Sequence, residues 1–190
     1  MPITIDGDGT ITGVSVGGLP DGIVDTDMLA ANAVSSAKLA SGAGGKILQV
    51  VQASSSAEVV VSTATFTDIG LSASITPSSS SNKILVLANF QTYFSRTSGQ
   101  GGGVKLLRGS TSIYQSVTES TGPFDTFNAA GSVGSKFTLL QYDSPATTSS
   151  TTYKLQGRAY TTATSGTAYF NSDVSDTDGS GTLTLMEVAA

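Results

Sequence analysis

The chain contains no histidine and no cysteine. That removes the usual general base, the thiol nucleophile and most transition-metal ligands together. Its hydroxyls are abundant, with 29 Ser and 26 Thr, but a hydroxyl is a weak nucleophile without a base beside it. A carboxylate pair could cleave a glycosidic bond. The candidates are Glu58, Asp68, Glu119, Asp125, Asp143, Asp173, Asp176 and Asp178, and nothing in their spacing singles out two. Hard oxygen ligands for calcium occur in Asp6-Gly7-Asp8-Gly9 and Asp176-Thr177-Asp178-Gly179. Neither fits the EF-hand loop, because the glycine is misplaced and the closing glutamate is absent; both read as turns. The glycines of 99–103 are not followed by the Lys-Ser/Thr of a phosphate-binding loop. The expectation is a protein that is not an enzyme, with no catalytic residues, no metal site and no cofactor.

Binding chemistry is more promising. The longest loop, Val117 to Gly134, carries Phe124 and Phe127 around Asp125 on a Gly-Pro turn. Aromatics beside a carboxylate suit a sugar, with the ring face apolar and the hydroxyls hydrogen-bonded. The same two phenylalanines could instead plug a seam between subunits. The loops Ser95–Gly103 and Ser172–Gly181 are further rims for such a surface.

These residues need a scaffold, and the composition describes one. Of 190 residues only 12% are charged, 22 are glycine and none is tryptophan. That is the composition of many short strands joined by polar turns. Without cysteine no disulfide holds the fold. The opening MPITIDGDG lacks the basic region and apolar core of a secretory signal. The longest apolar run, Ile84 to Ala88, is too short to span a membrane. The net charge of −5 is uneven: five acids and no base precede Lys38, and nine acids and nine bases follow from there. An acidic chain without a basic patch argues against nucleic acid as a partner. The acidic N-terminus could dock on a basic protein surface or could simply aid solubility.

Three segments follow in order. In the first, residues 1–22, Ile3 to Val16 alternate apolar and polar around the Asp-Gly pairs of 6–9, which predicts a short β-hairpin, and Gly17 to Gly22 break the pattern. Residues 23–45 hold two copies of a ten-residue unit, VDTDMLAANA and VSSAKLASGA. Each opens on helix-capping residues and ends on Asn32 or Gly42, so each predicts one or two helical turns. Helices this short need a neighbour to bury Val24, Leu29, Val34 and Leu39. The neighbours are other copies in a trimer neck, or the chain's own domain. Residues 46–190 show strand signals throughout: Lys46–Gln52, Phe66–Ile75, Lys83–Phe94, Val104–Arg108 with Thr111–Ser116, Ser135–Tyr142, Thr152–Thr161, Gly166–Asn171 and Thr182–Val188. The expected fold is all-β: a jelly-roll β-sandwich head of about eight strands, preceded by the hairpin and the helical-repeat neck.

Several stretches carry a family resemblance: TFTDIGLSASITPSSSSNKILVLANF (65–90), KLLRGSTSIYQ (105–115), LLQYDSPATTSSTTYKLQGRA (139–159) and GTLTLMEVAA (181–190), with the neck AANAVSSAKLASGAGGKILQVVQ (30–52) before them. In these the chain resembles bacteriophage fibre and appendage proteins that place a jelly-roll head after a short neck. The head architecture is similar to that of the complement C1q and tumour necrosis factor group, and fold alone does not settle function. The resemblance implies a homotrimer in the virion, made in the host bacterial cytoplasm. Its N-terminal segment would anchor on a phage capsid or tail protein, and its head would meet a host-surface glycan or protein. No long shaft separates neck from head, which leaves a short head fibre or capsid decoration protein as the alternative. Neither nucleic acid binding nor membrane insertion is expected.

Overall fold

The structure, a computed structural model of the chain, describes residues 4–5, 11–12, 34, 46–96, 102–116, 131–159, 166–172 and 179–190. The chain divides into two units, Met1–Gly45 and Lys46–Ala190. In the first, β1 (Thr4–Ile5) and β2 (Ile11–Thr12) pair antiparallel, Thr4 opposite Thr12 and Ile5 opposite Ile11. This is the hairpin that the Asp-Gly pairs predict. The expected neck helices lie outside the described residues except for Val34, which is 48% exposed in the single chain.

The second unit is built from period-two alternation. In β5 (Thr67–Ile75), Ile69, Leu71, Ala73 and Ile75 are buried, while Asp68, Gly70, Ser72 and Ser74 are exposed. In β10 (Thr151–Ala159), Tyr153, Leu155, Gly157 and Ala159 point inward, with Lys154, Gln156 and Arg158 outward. Successive side chains of a strand alternate between faces, so such a sequence has one face to bury. The other strands are β3 (Ile47–Ser55), β4 (Val59–Val61), β6 (Lys83–Arg96), β7 (Gly102–Arg108), β8 (Thr111–Gln115), β9 (Gly131–Asp143), β11 (Thr167–Phe170) and β12 (Gly181–Val188).

These strands form two antiparallel sheets. The smaller has the order β5-β10-β7-β8. In the larger, β6 pairs along one side with β9, and along the other first with β12 and then with β11. Beyond these lie β3 against β12 and β4 against β11. Taking β3 with β4 and β11 with β12 as two interrupted lines leaves eight lines of strand. The first pairs with the last, the second with the seventh, the third with the sixth and the fourth with the fifth. That nesting is the jelly roll, one long hairpin rolled into two sheets.

The core between the sheets contains Ile69, Leu71, Ile75, Ile84, Val86, Leu106, Leu155, Leu183 and Leu185. A run of aromatics crosses it: Phe90 lies 5.2 Å from Phe137 and 6.3 Å from Phe170, and Phe94 stands edge-on to Phe170 at 6.4 Å. Each such side chain contributes roughly 1.5–3 kcal/mol when fully buried. Gly157 makes room for the cluster, since a Cβ there would lie 2.2 Å from Phe170 Cζ.

The strands also give the head two ends. Ile47, Val188 and Lys83 stand opposite one another at one end, beside the Ile84–Asp143 pair. There the chain enters at Lys46, whose carbonyl accepts a 2.7 Å hydrogen bond from the Ala189 N–H. At the other end, Arg96 stands opposite Gly131, Ser95 opposite Thr167 and Gly102 opposite Ala159. The 14 residues of β6 join the two, a span of about 40 Å at ~3.3 Å per residue.

Candidate functional site

Phe124, Asp125 and Phe127 lie outside the described residues, as do Val24, Leu29 and Leu39. The flanks of the 117–130 segment are described. Ser116 is buried at the end of β8 and closed onto β7: its N–H donates to the Val104 carbonyl at 2.9 Å, and its hydroxyl accepts from the Val104 N–H at 2.8 Å. Gly131 opens β9 opposite Arg96. Both flanks therefore stand at the end away from Lys46. The connections 97–101 and 160–166 leave from that end as well.

The described candidate carboxylates are each engaged in structural contacts. Asp143 accepts two 2.9 Å bonds from Arg108 Nη1, and its Oδ2 accepts the Tyr153 hydroxyl at 2.7 Å. Burial, reinforced by this carboxylate, pushes the Tyr153 hydroxyl far above the ordinary tyrosine range. The group ties the end of β9 to β7 and β10 of the opposite sheet. Asp68 accepts from Gln156 at 2.6 Å and from Lys154 at 3.0 Å, and hydrogen bonding from Gln156 leads the lowering of its pKa. Glu58 accepts from the Ser172 hydroxyl. Glu119, Asp125, Asp173, Asp176 and Asp178 lie outside the described residues. Among the described residues no three His, Cys, Asp or Glu are placed to hold a metal ion, and no helix is long and apolar enough to cross a membrane.

Glu187, which is not among the carboxylates singled out by sequence, is only 1% exposed. Its Oε1 accepts the Ser78 N–H at 2.7 Å, the Ser78 hydroxyl at 2.8 Å and Asn82 Nδ2 at 2.6 Å; its Oε2 accepts Gln49 Nε2 at 2.6 Å. Burial alone would raise its pKa, but the donors from Asn82, Gln49 and Ser78 outweigh it and hold the pKa at about 2. The signal was available in the parity of β12, because Glu187 continues the inward row of Leu183 and Leu185.

The two outer faces of the sandwich differ in kind. On the smaller sheet, outward positions include Asp68, Lys154, Gln156, Arg158 and Lys105, with Lys105 Nζ 4.2 Å and the Arg158 guanidinium 4.6 Å from the centre of the Phe66 ring. The larger sheet presents apolar rows. One row is Val50, Met186, Leu85 and Tyr142; the next is Gln52, Thr184, Leu87 and Leu140. Residues directly opposite one another share a face. Val50 is 56% exposed, Tyr142 55% and Leu140 64%. Two polar pairs lie on this face: Gln52 Nε2 donates to Thr184 Oγ1 at 2.9 Å, and Asn89 Nδ2 to Thr138 Oγ1 at 3.0 Å.

No protein-family model matches the chain, and no curated protein matches it. Among solved structures it overlaps partially with the infectious bursal disease virus VP2 subviral particle, at TM-score 0.38 and 9% identity over 74% of this chain and 39% of that one. A structure of the Gx strain of the same virus gives TM-score 0.37 and 13% identity over 75% and 37%. The chain thus spans under two fifths of the length of either. The fold stands on its own strand pairing, whatever these overlaps.

Proposed function

We propose that the protein is a structural component of a virion: a short homotrimeric, tail-fibre-like appendage, anchored through its N-terminal segment to a phage capsid or tail protein and presenting the jelly-roll head to a host-surface glycan or protein. The supporting observation is the polarity of the head. The chain enters at one end, and the flanks of the 117–130 segment stand at the other, about 40 Å away along β6. A contact surface far from the anchor suits an appendage, and three copies of a weak site gain by avidity on a repeated receptor.

The test is the paired replacement of Phe124 and Phe127 by Ser. In an adhesin it lowers attachment to host cells and leaves melting temperature and assembled mass nearly unchanged. If the two rings seal a subunit seam, the same change weakens the assembly, at roughly 3 kcal/mol per buried Phe lost, and attachment per assembled particle stays normal. Particles that lack the protein altogether yet attach at the wild-type rate would indicate capsid decoration without a receptor role.

A further inference from the structure

We propose that the outer face of the larger sheet is the contact between copies of this chain, with the β9 edge of one head packed on the β3 edge of the next around a closed ring of three. The proposal rests on the trimeric reading above and adds the surface and its geometry.

The face is unusual for one left in water. Ile47, 56% exposed, stands opposite Val188 at the foot of the Val50 row. With Leu48, Val50, Leu140 and Tyr142 it gathers five large apolar side chains, each about half exposed or more, on one sheet, and contiguous apolar surface of this kind marks an interaction site. Half-buried Leu85 and Met186 bridge these side chains across the row.

Charge favours a second copy as the occupant. The whole chain carries −5, so bringing copies together is opposed wherever acids meet. The described outward positions of β3, β12, β6 and β9 include no Asp or Glu; their only charges are Lys83 and Lys136. Two polar pairs on the face, Gln52 with Thr184 and Asn89 with Thr138, are already hydrogen-bonded to each other, so covering the face leaves these two donors partnered.

Exposure also sets the geometry. It is greatest at the two edges of the face, Tyr142 and Leu140 on β9 and Val50 and Ile47 on β3, and less at Leu85 and Met186 between them. Two different edges, each needing cover, fit a head-to-tail contact, which closes as a ring when the rotation allows. Among the described residues β9 and β3 each have one strand neighbour in the sheet, so both edges are open to such a contact.

The chain has no cysteine, which makes disulfide trapping clean. In the full-length protein, Val50→Cys with Tyr142→Cys places the thiols three strands apart within a chain, about 14 Å at ~4.8 Å per strand. That is too far for an internal bridge, so any disulfide joins two copies. The expected result is a covalent trimer on a denaturing gel after oxidation, with each single variant giving no trimer. Leu140→Glu, at a 64% exposed position, should keep the wild-type circular dichroism spectrum and raise the concentration needed for assembly at least tenfold. A wild-type trimer that neither cross-links through this pair nor responds to Leu140→Glu overturns the face and leaves the trimer standing. A wild-type chain that sediments as a monomer at micromolar concentration overturns both.

Discussion

At the scale of single residues, Glu187 shows how a jelly roll tolerates a buried charge. A carboxylate out of water is costly unless every oxygen is matched, and four donors from three residues meet this one. They come from β3, from the β5–β6 turn and its end, so the ion joins three parts of the chain that are far apart in sequence. Glu187→Gln would set an amide N–H₂ against donors. It should cost about 2 kcal/mol, seen as a fall of roughly 5 °C in the melting temperature. The pH dependence has a definite sign. The folded pKa of about 2 lies below the ordinary 4.5, so the stabilisation is present in full above pH 4.5 and is lost as the pH falls toward 2. Wild type and Glu187→Gln should therefore converge in melting temperature on acidification. A gap that stays constant from pH 6 to pH 2 counts against the network as its source.

At the scale of elements, the strands were legible because each half-buried strand alternates, as in Leu183 and Leu185 or Tyr153 and Leu155. β4 was not, since Val59–Val61 is three residues long and too short to display a period. β9 begins at Gly131, four residues ahead of the Ser135 that alternation predicts, because Gly131 to Gly134 offer no apolar alternation and pair only by virtue of the length of β6. The run Ile84 to Ala88 is too short for a membrane; in the sheet Ile84, Val86 and Ala88 are buried in the core, while Leu85 and Leu87 stand half-buried on the outer face. The Arg108–Asp143–Tyr153 group joins residues up to 45 apart in sequence and leaves no local trace. The nesting of β10 against β11 turns on Gly157, and Gly157→Ala should cost about 1–3 kcal/mol by forcing the Phe170 ring to move. An unchanged thermal midpoint for this variant would show that the aromatic cluster is looser than its spacing implies.

At the scale of the whole molecule, the unit Lys46–Ala190 has its own core, so removal of residues 1–45 should leave a folded β head. In the proposed appendage that head no longer joins particles; incorporation of the truncated chain would move the anchor into the head. Circular dichroism together with a particle-incorporation assay reads both outcomes. The placement of the two ends has a mechanical consequence. In the proposed appendage, tension between an anchor reached through Lys46 and a receptor held beyond Ser116 and Gly131 would run along the strands. Ladder hydrogen bonds lie across that direction, so the load shears many at once and does not unzip them singly. A pull from Ala190 at the same end as Lys46 would instead peel β12 from β3 one pair at a time. Force spectroscopy with handles at Lys46 and the 117–130 segment should thus record a much higher rupture force than handles at Lys46 and Ala190. A particle tethered to a cell by this head would be held in its strong direction.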